Sequence, residues 1–279
     1  MEHIIEEMAV IGFSKELFEK ERAKETIDRY QQQLHTFAQW VGGRTVTKEI
    51  TVCYKQWLME RYSPASVNVA LAALNGFFDF MGWQECRVRP VRVQRRNYSE
   101  PRRELTRQEY YRLLHAARRK GDLRLFHLLE TICSTGIRVS ELRFITVKAV
   151  QRGRADICNK EKYRTILLPR RLCEKLLHYC RERGIAHGSV FVTCSGKPLN
   201  RSNIWAMMKG LCRKAQVSAR KVFPHNLRHL FARCFYQCQQ DLEHLASLLG
   251  HSSINTTRIY TRTSGEEHLR QIEKLRLIL

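Results

Sequence analysis

The sequence predicts a mainly α, α+β protein of two domains: a four-helix N-terminal unit, then a mixed α/β unit with one small antiparallel sheet. Three observations predict it. The chain has 279 residues, more than a single core normally organises and comfortable for two. Apolar residues recur at helical spacing up to about residue 85, and one later stretch, near 155–168, switches to the period of two that marks a half-buried strand.

Within the first domain, apolar residues around Ile4 to Phe18, Tyr30 to Val41, Val52 to Met59 and Val67 to Met81 predict four helices. Ser63-Pro64 opens the fourth, a capping residue followed by proline in the first turn, where its missing N–H costs nothing. Between Cys86 and Arg103 the pattern breaks, with two prolines, seven arginines and one acid, Glu100. The expected division is a domain at 1–95, a basic linker at 96–103 and a second domain beginning near 104. Thr106-Arg107-Gln108-Glu109 has the capping-box form, in which two orphan backbone donors are satisfied reciprocally, and starts that domain's first helix.

An apolar helix at Leu123 to Cys133 leads to Gly136 and a short helix from Val139. Ala155-Asp156-Ile157-Cys158 and Thr165-Ile166-Leu167-Leu168 then flank the polar Asn159-Lys160-Glu161-Lys162 as a β-hairpin. Helices are expected at about 170–183, 201–215, 225–238, 241–249 and 253–260. Glu266 to Leu279 reads as an amphipathic helix with Leu269, Ile272, Leu275 and Leu279 on one stripe.

Charge narrows the function. There are 49 Lys and Arg against 27 Asp and Glu, a formal net charge of +22. Each cation that neutralises a phosphate releases condensed counterions, so such an excess favours nucleic acid as partner. Its distribution supports this more than a merely solubilising surface: from Arg183 to Gln240 there is no acid against ten Lys and Arg. That tract offers Arg201, Lys209, Arg213 and Lys214 as phosphate contacts, and the linker offers Arg95, Arg96, Arg102 and Arg103. A loose basic tether fits the linker's composition as well.

Other classes are disfavoured. Hydrophobic residues at 43% and charged residues at 27% are ordinary for a globular protein, and no apolar run of about 18 residues or signal-like start is present, so a soluble, cytoplasmic protein is expected. Ten cysteines at irregular spacing are expected to be reduced and mostly buried. Cys234 and Cys238 have no second pair at zinc-ligand spacing, so no metal site is expected. No GxxxxGK[ST] loop and no acidic cluster suited to two-metal chemistry is evident, and no cofactor is expected.

Three segments carry groups that could work on a phosphate. In Thr135-Gly136-Ile137-Arg138-Val139-Ser140-Glu141-Leu142 a glycine turn feeds a helix whose first turn holds Arg138, either an anion site or a surface arginine paired with Glu141. In Pro224-His225-Asn226-Leu227-Arg228-His229, His225 and Arg228 share one helical face, an imidazole beside a guanidinium fork. Leu249-Gly250-His251 is followed by Thr256-Thr257-Arg258-Ile259-Tyr260, a tyrosine that becomes a nucleophile if neighbours stabilise its phenolate or take its proton.

Taken in order, TGIRVSEL, HNLRH and LGHSSINTTRIY resemble the successive signature boxes of the tyrosine recombinase (phage integrase) family. The resemblance is strong over 104–264 and rests on size, helicity and position in the N-terminal region. It implies the DNA breaking-rejoining fold, with a helical core-type DNA-binding domain before the catalytic one. It further implies that Arg138 and Arg228 clamp the scissile phosphate, that His225 assists proton transfer, that His251 hydrogen-bonds the phosphate, and that Tyr260 forms a 3′-phosphotyrosyl link. The family places a general-acid lysine on the hairpin between its second and third strands. Lys160 is the expected residue, with Lys162 the alternative because this hairpin is about one residue shorter than in many relatives. Glu141 would hold the architecture, and segment 265–279 would dock on a neighbouring protomer or on its own domain.

The implied activity is site-specific recombination without metal or ATP, by a homotetramer on two DNA sites with inverted half-sites, serving a mobile element or a bacterial or phage chromosome. The alternatives are a topoisomerase with the same chemistry and a catalytically idle DNA-binding regulator of the same fold.

Overall fold

The computed structural model describes residues 3–93, 103–159, 162–251, 253–260, 269 and 273–274. The chain divides into two compact units, Met1–Arg95 and Arg96–Leu279.

The first unit is built from α1 (Glu7–Glu19), α2 (Lys24–Val41), α3 (Lys48–Arg61) and α4 (Pro64–Met81), the four helices that the apolar spacing predicts. Ser63 caps α4 by accepting from the Ser66 N–H, and Pro64 occupies the first turn. The core between them is aromatic, with Phe37, Tyr54, Phe77 and Phe78 fully buried. Phe37 lies 4.7 Å from Tyr54 and 6.2 Å from Phe78, centroid to centroid, within the range at which tilted and edge-on rings attract.

In the second unit, α5 (Arg107–Arg119) starts with both halves of the expected capping box between Thr106 and Glu109. It packs beside α6 (Leu123–Thr135), and after a 3-10 turn at Val139–Phe144 the short α7 (Val147–Gln151) leads to the hairpin. Strands β1 (Arg154–Asn159) and β2 (Lys162–Leu167) form the two-stranded antiparallel sheet. Then follow α8 (Arg170–Glu182), α9 (Arg201–Lys209), α10 (Cys212–Ala215), α11 (Pro224–Gln239), α12 (Leu242–Leu249), α13 (Ile254–Thr257) and a 3-10 turn at Arg258–Tyr260. Leu125, Leu128, Leu129 and Ile132 of α6 and Leu227 of α11 meet at the centre of this unit's core. Among the described residues no helix is long and apolar enough to cross a membrane.

Three expectations are corrected. Asn159 and Lys162 belong to the strands, paired with each other, rather than to the connection between them, and Lys160 and Glu161 lie outside the described residues. Ahead of the hairpin, in a stretch to which the sequence assigns no element, Thr146 caps α7 by accepting from the Ala149 N–H. The helix expected at 201–215 is broken after Lys209, where Gly210 offers no side chain to hold the turn; the Leu211 N–H bonds to Met208 O, and Leu211 and Cys212 swing into the core. The cysteines are free, but only Cys86, Cys173, Cys180 and Cys212 are buried. Cys158, for example, is exposed because it falls on the outward face of β1, one residue beyond the buried Ile157.

Candidate active site

Helix α6 ends on Gly136, whose φ of +64° lies in the left-handed region. A Cβ there would come within 2.5 Å of Phe231, so glycine is required twice over. The turn delivers Arg138, whose own N–H donates to Glu141 Oε2 at 2.9 Å. Its guanidinium donates to Glu141 Oε1 at 3.1 Å and to Gly250 O at 3.2 Å, yet the side chain stays 39% exposed. The two sequence readings of Arg138 are therefore compatible: it pairs with Glu141 and still presents an open edge to an anion.

Glu141 is 3% exposed and takes a second cation, Arg164 of β2, at 2.5 Å. A buried carboxylate with two guanidinium partners is a rigid fixture, because removing either partner would leave charge uncompensated.

Arg228 comes from the first turns of α11. Pro224 starts that helix, and the Asn226 side chain donates to Lys221 O at 2.7 Å and Arg103 O at 2.9 Å, tying the helix start to the chain before it. Arg228 is 1% exposed. Its Nη1 donates to Gly136 O at 2.5 Å and its Nη2 to Leu249 O at 2.7 Å, so it stitches the ends of α6 and α12 together. Burial first, and then the charge of Arg138, lowers its pKa to about 10, which leaves it cationic at neutral pH.

Helix α12 closes on Gly250, at φ +62°, and His251 follows. His251 Nε2 lies 3.0 Å from Arg228 Nη2, and Nδ1 lies 2.8 Å from Thr257 Oγ1. Burial, reinforced by Arg228 and Arg138, pushes the imidazole down to about 4.

Tyr260 is 4% exposed and packs with Ala232, Leu245 and Leu249. Its ring stands edge-on to His229, with centroids 4.8 Å apart, and lies nearly parallel to His251 at 6.1 Å. Burial raises the phenol's pKa, against the lowering pull of the Arg228 and Arg138 guanidinium groups. His229 in turn stands 4.6 Å from His225. Burial, then His225 and Arg233, push His229 to about 4; His225 is lowered too, by partial burial and then by Arg228, Arg138 and Arg201.

Arg138, His225, Arg228, His251 and Tyr260 thus converge. Lys160 lies outside the described residues, and Lys162 opens β2 opposite Asn159. Of the expected DNA contacts, Arg95, Arg96 and Arg102 lie outside the described residues. Arg201, Arg213 and Lys214 are exposed, as is Arg103. Lys209 donates to Ala219 O and sits 5.1 Å over the Trp205 ring.

Sequence reasoning missed three residues around this pocket. Thr257 is fully buried against His251, and its signal was a hydroxyl among residues leading into Tyr260. His229 follows His225 by one turn, so the same helical face that suggested Arg228 points to it. Arg164 sits at an inward position of β2, where alternation asks for an apolar residue.

Comparison with known proteins bears on this arrangement. The chain is 32% identical to the tyrosine recombinase XerA of Thermococcus kodakarensis, over 92% of this chain and 91% of that protein. It is 29% identical to the tyrosine recombinase XerD of Halalkalibacterium halodurans, over 88% and 89% respectively. Among solved structures, a lambda integrase dimer bound to a COC′ core site shares the fold with a TM-score of 0.74 and 17% identity, covering 94% of this chain and 96% of that one. The XerH site-specific recombinase bound to its difH substrate, in a pre-cleavage complex, gives 0.68 at 22% identity, covering 90% and 79%. The N-terminal SAM-like domain of phage integrases matches residues 10–85. The pattern of the phage integrase family matches residues 103–267, the span that holds every group of the pocket, and the chain belongs to that family.

Proposed function

We propose that this protein is a site-specific tyrosine recombinase that breaks and rejoins DNA through Tyr260. The observation that carries the reading is the convergence on one pocket of Arg138, Arg228 and His251 with the Tyr260 phenol, whose ring lies nearly parallel to that of His251, itself 3.0 Å from Arg228 Nη2. Two fixed guanidinium groups are suited to a phosphate whose equatorial oxygens gain charge in the transition state. The names of its relatives support it: XerA and XerD are tyrosine recombinases, and XerH is a site-specific recombinase.

The chemistry balances without a cofactor. The Tyr260 oxygen attacks phosphorus and loses its proton, for which His225, in ring contact with the His229 that packs on Tyr260, is the proposed acceptor. The P–O bond to the 5′-carbon side breaks, and Lys160 protonates the departing oxygen. The phosphodiester energy is held in the 3′-phosphotyrosyl ester, which a 5′-hydroxyl from a second strand then attacks to restore the tyrosine. Tyr260 is almost wholly buried, so its ring turns toward the phosphate when DNA binds.

The DNA partner and self-association fit the neighbours, one of which is a lambda integrase tetramer bound to a Holliday junction. On this reading four protomers act on two DNA sites, each with inverted half-sites, in the cytoplasm and on chromosomal, phage or mobile-element DNA. The exposed Arg201, Arg213 and Lys214, with Arg95, Arg96, Arg102, Arg103 and Lys209, supply phosphate contacts. Segment 265–279 passes to a neighbouring protomer. A topoisomerase would share the pocket but would not pair two sites.

The test starts from a pool of nicked duplexes with randomised arms, from which covalently captured DNA is selected. Two copies of the enriched duplex are then offered together. Exchanged strands support the recombinase. Relaxation of supercoils without exchange would favour the topoisomerase, and binding without capture an idle regulator.

A further inference from the structure

In the first unit, the surroundings of Trp83 bring three chemically different donors to one place. His3 is held from two sides. Its carbonyl accepts from the Val46 N–H at 2.7 Å, and its ring stacks on Trp83 with centroids 4.6 Å apart and planes 24° from parallel. The ring so fixed directs Nε2 to Glu85 Oε1 at 2.5 Å. Glu85 and Cys86 belong to the 3-10 turn at Gln84–Cys86, and the Cys86 thiol donates to Val46 O at 3.5 Å. Val46 thus anchors both His3 and Cys86. His3, Glu85 and Cys86 each offer one ligand atom, and these atoms all lie within 4.8 Å of one another.

An ion pair beside a core cysteine would leave this as packing alone, but the geometry goes further. Cys86 is fully buried, whereas the side chains of His3 and Glu85 are 23% and 61% exposed, so the sulfur forms a floor and the imidazole and carboxylate a rim open to solvent. Bonds of about 2.0 to 2.3 Å around a tetrahedral ion set ligand atoms about 3.3 to 3.8 Å apart, so the three donors reach ligand spacing by side-chain adjustments of about 1 Å. Calcium and magnesium call for oxygen ligands, whereas one imidazole, one thiolate and one carboxylate suit a borderline ion such as zinc. The two anionic ligands balance a dication. Lys48, a neighbouring cation, has its ammonium directed to Arg87 O.

We propose that His3, Glu85 and Cys86 form a site for a zinc-class divalent ion, three protein ligands with solvent in the fourth position, which clips the N-terminal segment to the helical bundle of the first unit. On binding, the Cys86 thiol gives up its proton to solvent, and bonds from the ion to His3 and Glu85 replace the hydrogen bond between them. No electron is transferred, and the ion supplies no step of strand cleavage. No spacing motif announces the site, since 82 positions separate His3 from Glu85.

The test titrates the intact chain, reduced and stripped of metal, with Co2+. A thiolate-to-cobalt charge-transfer band reports a sulfur ligand, and visible d–d bands report tetrahedral geometry. The proposal expects both features at one equivalent, their loss when Zn2+ is added, and a melting temperature raised by Zn2+. His3→Ala, at a partly exposed position, should lose the d–d bands and the zinc-dependent rise, and Cys86→Ala should lose the charge-transfer band. If the Cys86 variant fails to fold, Glu85→Gln joins His3→Ala in the comparison, since it changes only an exposed carboxylate. A parent with no charge-transfer band would overturn the proposal. So would bands and a zinc-dependent rise that persist in His3→Ala, which would assign the binding to other thiols.

Discussion

His251 Nε2 accepts a hydrogen bond from Arg228 Nη2 at 3.0 Å, and that contact fixes the imidazole's protonation state. Arginine can only donate, so Nε2 carries no hydrogen and Nδ1 does, donating to Thr257 Oγ1 at 2.8 Å. A neutral ring agrees with the depression of its pKa to about 4. On the proposed function, an incoming phosphate would compete for the Arg228 donor, and release of that contact would free Nε2 to take a proton and donate to the phosphate.

Thr257 is therefore expected to matter out of proportion to its size. Thr257→Val removes the Nδ1 partner and leaves the shape, and should slow single-turnover cleavage by about 10-fold, the scale of losing an orienting hydrogen bond, while Thr257→Ser stays near the parent. Covalent-adduct rates at saturating enzyme measure this. Equal rates for the valine variant and the parent would show that the tautomer is set elsewhere.

Arg228→Lys keeps a cation but cannot reach Gly136 O and Leu249 O together. Cleavage should fall by roughly 100-fold or more, with a smaller change in DNA affinity. Stability should also drop, by about 1–3 kcal/mol, since at least one buried carbonyl loses its donor. Chemical denaturation alongside the cleavage assay separates the two losses.

His229 faces both His225 and Tyr260 edge-on. Because edge-on packing does not require nitrogen, His229→Phe should keep most cleavage activity, and His229→Ala should lose it by leaving the Tyr260 ring unsupported. A phenylalanine variant as inactive as the alanine would assign the imidazole a polar role.

The depressed histidines also set a pH dependence. His229 and His251 titrate near about 4 in the folded chain, whereas a histidine in the unfolded chain titrates near 6.5. Between those values the unfolded chain binds more protons, so stability contributed by keeping the rings neutral is present above pH 6.5 and is lost as pH falls toward 4. Melting temperature should decline from pH 7 to pH 5, and His229→Phe should flatten the decline. An unchanged slope in that variant would contradict the assignment.

Much of this was legible in the sequence because local signals and tertiary structure agree. Ser63-Pro64 and the Thr106 to Glu109 box cap helices as their residue types require. The glycines of the TGIR and LGH segments prove to be left-handed turns against Phe231 and Arg164. What was hidden depends on contacts distant in the chain. The tie from Arg164 to Glu141 spans 23 residues and the tie from Arg228 to Gly136 spans 92, and no local periodicity encodes either. The break at Gly210 was missed because burial of Leu211 and Cys212 overrides the helical spacing on both sides.

The central claim is that residue 260 is the one joined to DNA. Digesting the trapped adduct with nuclease and protease and sequencing the nucleotide-bearing peptide by mass spectrometry tests it directly. The account predicts a nucleotide esterified through its 3′-phosphate to Tyr260, and no adduct from Tyr260→Phe. A nucleotide on any other residue, or an adduct that survives that substitution, would contradict it.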